Sequence, residues 1–512
     1  MATRVPITSG SLFDHQIGTN DNLSGVDNMD NTFFGDAGED IKEDAIGGDD
    51  SFTGGNGLGS TPITNTFYGD AVRDLTDHAA GGADTFNYVA SNNAVLTINT
   101  FFGDAGGNMS GSTHGGNDVF NVQHNVFPAP TPDTFYGDAG GDMFGHAVGG
   151  NDTFSAAVSN ITTNFFGDAG GDMYGFARGG NDSFTATNVH ETNHYFYGDA
   201  GGNMSGHAIG GNDSFTVTGN NSVNPFNFFY GDAGGNMTGF ARGGNDSFTS
   251  QAGVPVNKVY GDAGGDMSDR ARGGNDTFVA SGIANENTFY GDAGGNMSGR
   301  AQGGDDTFTS AGGVNTFYGD AGGTMSGRAQ GGNDIFTGGA HDVPPAMNLA
   351  YGDALTISGQ ARGGNDVLTG GADATPPEAG TFDNTLIGDA QAISGNGRGG
   401  NDKLISGTGN DDMWGDGQQM LGNAQGGNDV FAFGPNNGHD KIEDFGQGAS
   451  GGQNLGVDHI DVSAMGIHDF NGLTVSSFNP ATHESTISFG ADNDLIVRSQ
   501  VALTPHNFIF AT

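Results

Sequence analysis

Two aspartates recur in step along this 512-residue chain, and the spacing between them constrains the fold more than any other feature. The first follows a glycine: Asp36, Asp70, Asp104, Asp138, Asp168, Asp199, Asp232, Asp262, Asp292, Asp320, Asp353, Asp389 and Asp416. The second closes a GGND run or a close variant: Asp50, Asp84, Asp118, Asp152, Asp182, Asp213, Asp246, Asp276, Asp306, Asp334, Asp366, Asp402 and Asp429. Thirteen repeats result, with 14 residues between the two acids in the first ten and 13 in the last three. From the second acid to the next first acid the gap runs from 14 to 23 residues. A segment of fixed length stacks in register, whereas a segment of variable length holds an outside loop. Stacked units with insertions on one face form a solenoid.

Local patterning agrees. Aromatic pairs such as Phe67-Tyr68, Phe135-Tyr136 and Phe289-Tyr290 precede the first acid, and Phe52, Phe86, Phe154, Phe278 and Phe308 follow the second by two places. Short β-formers between glycine turns read as short strands. Helix is disfavoured, since each interior glycine costs about 1 kcal/mol. A third apolar column lies five residues past the first acid: Ile41, Leu75, Met109, Met143, Met173, Met204, Met237, Met267, Met297 and Met325. Alanines four places further on, such as Ala271 and Ala301, mark tight packing. The expectation is an all-β, parallel β-solenoid of thirteen repeats. Each repeat supplies about three short strands, neighbours pair ~4.8 Å apart, and Phe and Met ladders fill a narrow core. Residues 1–30 are expected to form an N-terminal extension or cap, 31–433 the repeats, and 434–512 a small β-rich C-terminal cap.

Composition narrows the function. Acids number 60 against 15 bases, a formal charge of −45, with 97 glycines and 38 phenylalanines. Regularly placed aromatics argue against the disorder that such a charge balance often signals. The charge excludes nucleic acid as a natural partner and points to cations. With no cysteine there are no disulfides and no thiolate metal sites. No stretch approaches 18 apolar residues, so no membrane span is expected. The opening MATRVPITSGSLFDHQIG lacks the apolar core of a cleavable export leader.

Stacking sets like acids over like acids. Two charges ~4.8 Å apart repel by roughly 0.9 kcal/mol in water and several times more at an effective dielectric near 20. Carboxylates and glycine-turn carbonyls are hard oxygen ligands of the kind Ca²⁺ takes, six to eight at a time. Neutralising −45 would need about 22 divalent ions, between one and two per repeat.

The GGND-x-Phe run resembles the second half of the calcium-binding nonapeptide of RTX (hemolysin-type) proteins, G-G-x-G-x-D-x-U-x. The resemblance covers about residues 31–433 and implies a parallel β-roll holding Ca²⁺ between successive turns. Asp276 matches the liganding acid of that motif, Gly274 the glycine two before it and Phe278 the inward apolar position. Leu368 and Leu404 replace the Phe in two repeats. The first half, GDAGGNM, has an extra residue, and its acid-or-amide position alternates between Asp40, Asp142, Asp172, Asp266 and Asn108, Asn203, Asn296 or Thr324. Residues 427–466 resemble the end of the RTX part of serralysin-type secreted proteins, with Asp440, Asp444, Asp458 and Asp461 at the matching acids. This implies Asp440 and Asp444 as further metal ligands. The apolar tail HNFIFAT is similar to type I secretion signals. The resemblance implies export through a type I secretion apparatus, an extracellular or cell-surface location on a bacterium, and folding on meeting external calcium.

Four other features have a plainer reading beside a functional one. HETNH at 190–194 fits H-E-x-x-H, but it falls in an inter-repeat loop where a zinc protease needs a helix. No catalytic domain accompanies it, and no enzyme is expected. The methionine column reads as core filling rather than a soft-metal site, because Ile41 and Leu75 share it. Arg178, Arg242, Arg272, Arg270, Arg300 and Arg328 are expected to pair with neighbouring acids; gripping a surface polysaccharide is the alternative. Threonines such as Thr66 and Thr134 do not form the regular array that ice binding needs. With no effector module attached, the array itself is the expected product: a calcium-binding structural protein that self-associates into a filament or layer. A monomeric calcium-dependent adhesin or carbohydrate-binding module is the alternative.

Overall fold

The computed structural model describes residues 3–4, 8–58, 62–90, 97–124, 132–158, 162–189, 193–219, 226–251, 256–281, 286–339, 347–372, 382–447, 456–490 and 493–512. It is all-β. Among these residues the only helical pieces are three short 3₁₀ turns, Ser463–Met465, Phe470–Gly472 and Pro505–Asn507. No helix among them is long and apolar enough to cross a membrane. The chain divides into two compact units, Met1–Gly265 and Asp266–Thr512. Each is a parallel β-solenoid.

In the first unit, from Asn22–Ser24 onward, the strands pair with their own copies one repeat along. Phe67 pairs with Phe101, Phe101 with Phe135, Phe135 with Phe165, Phe165 with Phe196 and Phe196 with Phe229. The partner of a residue is thus always one repeat away, whatever the repeat's length, so one repeat makes one coil. A second face stacks Phe52, Phe86, Phe120, Phe154, Phe184, Phe215 and Phe248 in the same manner. The third face is mostly single bridges through Ala37, Ala71 and Ala105 and through Ile41, Leu75 and Met109. It becomes a true strand only in places, such as Met109–Gly111, Met143–Gly145 and Met173–Gly175. Glycine turns on either side leave little room for longer pairing. At the N-terminal end Leu12 bridges to Ile41, and Asn22–Ser24 pairs with Ser51–Thr53.

The core is narrow and apolar. Phe67, Phe86, Phe101, Phe120, Met109 and Met143 are completely buried. Inner rings stack between rungs, with centroids 4.9 Å apart for Phe67 and Phe101 and 4.7 Å for Phe86 and Phe120. A second, half-buried ladder runs outside through Tyr68, Phe102, Tyr136 and Phe166, at 4.8 to 4.9 Å. Its rings account for one conserved-in-phrase glycine: a Cβ on Gly106 would run into the Tyr68 ring, and one on Gly140 into that of Phe102.

The second unit repeats the scheme with aliphatic substitutions. Phe289 pairs with Phe317, Phe317 with Ala350, Ala350 with Leu386, Leu386 with Met413 and Met413 with Ile442. Its third face explains the change in spacing from 14 to 13 residues. The strand Ala321–Met325 pairs with Ala354–Ile357 through a register shift, five residues against four. The residue removed from the later repeats is the bulged one. Ile357, Ile393 and Met420 continue the inward column there. The C-terminal part closes the unit. Asn493–Ser499 pairs in parallel with His439–Phe445 and antiparallel with Glu484–Gly490. Phe508–Ile509, from the apolar tail, pairs with His459–Asp461.

Candidate metal centre

The second acids form one buried column in each unit, none more than 2% exposed. The N–H of Asp50, Asp84, Asp118 and Asp152 donates to Oδ1 of the second acid of the following repeat, each at 2.6 Å. Asp182 and Asp213 donate likewise to Asp213 and Asp246 at 2.7 Å. In the second unit Asp276, Asp306 and Asp334 donate to Asp306, Asp334 and Asp366 at 2.7 Å, and the chain runs on through Asp402 and Asp429. One carboxylate oxygen is therefore committed to the neighbouring rung. The other oxygen of Asp84, Asp118, Asp152, Asp182, Asp334, Asp366, Asp402 and Asp429 is buried and accepts no hydrogen bond.

The first acids form a second buried column, none more than 1% exposed. Each turns back on its own coil. Asp36, Asp70, Asp104, Asp138, Asp168, Asp199 and Asp232 accept the N–H of the glycine twelve residues on, as Asp70 does from Gly82 at 2.8 Å. In the second unit Asp292 and Asp320 do the same over twelve residues, and Asp353, Asp389 and Asp416 over eleven. This bond closes the fixed segment and explains why its length cannot drift. Asp262 lies in the same column, completely buried.

Glycines leave space where oxygens converge. A Cβ on Gly115 would press on Oδ1 of Asp138 and Oδ2 of Asp104; one on Gly331 would press on Asp353 and Asp320. Carboxylates of adjacent rungs thus face one point. Likewise, a Cβ on Gly69 would meet both Oδ2 of Asp84 and the carbonyl oxygen of Gly103. Carboxylate and main-chain carbonyl oxygens share that spot.

The electrostatics are one-sided. Burial, then the charges of neighbouring aspartates, pushes Asp70, Asp104, Asp118, Asp138, Asp334, Asp353 and Asp402 well above the ordinary carboxylate range. Burial raises Asp152 and Asp50 to about 8, and Asp199 and Asp320 to about 6. The charges acting on them belong to other aspartates. Such columns are neutralised by protons or by cations. The donor set fits a hard cation: carboxylate and carbonyl oxygens, orphaned buried oxygens, and glycine-made space. No three acidic or imidazole side chains gather at one point among the described residues, so main-chain carbonyls would complete any shell.

The two C-terminal acids separate. Asp444, half-buried, continues the first column, accepting from Gly415, Asp416 and Gly417 at 2.7 to 3.3 Å. Asp440 stands elsewhere, accepting from Asp411, Ser406 and Asn437 at 2.6 to 3.1 Å. Asp458 continues the second column, accepting the N–H of Asp429 at 3.0 Å. Asp461 instead caps a turn at Ser463.

Asp440 ends an amide ladder that sequence reasoning missed. Asn31, Asn65 and Asn99 hydrogen-bond in series to Asp133, and Asn287, Asn315, Asn348 and Asn384 to Asp411. The signal was an Asn two places before the inner aromatic, as in Asn65 before Phe67. His194 occupies this ladder position, its Nδ1 2.6 Å from Thr163 Oγ1, and burial holds its imidazole down at about 3. His190 and Glu191 of the HETNH run lie outside the described residues.

The fold and these columns define a parallel β-solenoid with an oxygen-lined acidic seam. Compared with protein-family models, with curated proteins and with solved structures, the chain matches none.

Proposed function

We propose that the chain is a secreted calcium-binding structural protein that folds when calcium fills the acidic columns and then self-associates into a filament or layer. The observation that carries this reading is the buried carboxylate oxygen left without a hydrogen-bond donor in rung after rung. Ca²⁺ supplies the missing positive charge and accepts carbonyl ligands as well as carboxylates. Asp84 with the Gly103 carbonyl, and Asp104 with Asp138, are the type of oxygens that would hold it. In calcium-poor surroundings the same carboxylates repel and keep the chain open, a state suited to passage through a type I secretion apparatus. The RTX resemblance of the GGND-x-Phe runs supports this reading. On it the protein is not an enzyme.

The test is electron microscopy and circular dichroism of the purified chain in millimolar calcium and in chelator. Strand signal with filaments or sheets in calcium alone is the expected result. Discrete particles in calcium would favour the monomeric binding module, and identical spectra in both samples would overturn the calcium reading.

A further inference from the structure

On the third face of the second unit arginines and side-chain amides gather. Arg328 and Gln330 flank the buried Ala329, and Gln360 and Arg362 flank the buried Ala361. Gln330 bridges to Arg362, Arg362 to Arg398 and Arg398 to Gln425, all in parallel. Arg362 and Arg398 are therefore direct neighbours on adjacent strands, a placement in which like charges destabilise. Together these residues line a trough of about 830 Å³ with no acid among its walls. The ion pairs described in this unit join Lys441, Arg498 and His439 to Glu443, Glu484 and Asp494. Arg328, expected to pair with a neighbouring acid, instead donates from Nε to Gln360 Oε1 at 3.1 Å. That bond orients its guanidinium and leaves the terminal amino groups for a ligand. Gathering three arginines away from acids is notable in a chain where acids outnumber bases 60 to 15.

We propose that this trough binds an acidic polysaccharide. Arg362 and Arg398 take carboxylates of the sugar chain, and the amides of Gln330, Gln360 and Gln425 take its hydroxyls. A guanidinium fork matches a carboxylate through two parallel hydrogen bonds. A side-chain amide both donates and accepts, as a sugar hydroxyl does. Repetition of these groups at one-rung spacing suits a linear polymer better than a small single anion. Nucleic acid carries a phosphate charge every ~1.7 Å along the duplex, far denser than one carboxylate per sugar, and the net −45 of this chain repels it the more strongly. None of the columnar aspartates takes part, so the inference stands apart from the calcium reading.

Calorimetry on the full chain at one fixed calcium concentration tests it, with folding followed by circular dichroism. The probes are a tetrasaccharide containing glucuronate, a neutral tetrasaccharide and a short oligodeoxythymidylate. The glucuronate sugar should bind, and the neutral one should bind at least tenfold more weakly. Arg362→Gln with Arg398→Gln should lose at least tenfold in affinity with the spectrum unchanged. The corresponding Lys pair, which keeps the charge and loses the fork, should fall between. Folded protein that ignores the acidic sugar would overturn the proposal. So would equal affinity in the Gln pair, equal affinity for the neutral sugar, or tighter binding of the oligonucleotide.

Discussion

The main-chain N–H of Asp118 donates to a carboxylate oxygen of Asp152, one repeat further on, at 2.6 Å, while the second oxygen of Asp152 accepts no hydrogen bond. Half of each carboxyl group is thus structural and half is open to a proton or a cation. The two halves can be separated by experiment.

Asp118→Asn keeps an oxygen able to accept from Asp84 and removes one buried charge. In chelator at pH 8 this variant should melt higher than the parent, because a buried repulsion is gone. With calcium it should melt lower and take up less of the ion. Asp118→Ala loses the acceptor as well and should be destabilised in both conditions, by about 1–3 kcal/mol. Thermal melts with and without chelator, and calcium stoichiometry by calorimetry, decide.

The metal-free chain should be steadier in acid. Asp199 sits at about 6 and Asp50 and Asp152 at about 8, all above the ordinary 3.8. The folded state then binds protons more tightly than the unfolded state. Its stabilisation is complete below about pH 4 and lost as pH rises through about 6 to 8. Melting in chelator should show a fall across that range, and calcium should flatten it. A metal-free chain that melts higher at pH 8 than at pH 4 would contradict the assignment.

Gly115→Ala places a methyl where the Asp104 and Asp138 carboxylates converge. Gly434→Ala meets nothing within 4 Å. The first should cost about 1–3 kcal/mol and depress calcium uptake, whereas the second should stay within about 0.5 kcal/mol. Denaturant unfolding of the two variants side by side makes the comparison.

Asn108 and Asp142 occupy equivalent places and do the same work: Asn108 Oδ1 accepts the N–H of Asp142, and Asp142 Oδ1 that of Asp172. Asn108→Asp keeps the acceptor and should cost only the repulsion of Asp74 and Asp142, which added salt relieves, whereas Asn108→Ala should cost about 1 kcal/mol at any salt concentration. Melting temperatures of the two variants test the equivalence.

That last pair shows where the sequence could be read and where it could not. The constant spacing from Asp104 to Asp118 announced stacking, and the closing bond from Gly116 to Asp104 is its cause. The inward places of Phe101, Met109 and Phe120 were equally plain, since apolar residues in a glycine-rich text have nowhere else to go. The alternation of acid and amide at 108 and 142 gave no clue to its role, because only the neighbouring rung reveals that either side-chain oxygen accepts the same N–H. The extra residue of the early repeats read as a mismatch until Ala321–Met325 lay beside Ala354–Ile357 as a bulge. The buried Asn ladder ending at Asp440 escaped because single amides in short strands resemble turn residues. Repetition reveals what points inward; it is silent on which polar groups meet across rungs.

The bond from Asp118 to Asp152 also alters how such an array should be counted. Every oxygen-lined place is owned jointly, so it belongs to the gap between two rungs, as a span belongs to two piers. A row of piers has one span fewer than its piers. Removing an interior repeat deletes two spans and lets the two flanking piers make one new one, a net loss of one that leaves the rest intact. Capacity then changes in whole steps with copy number, and an unfinished half-span is always found at an end.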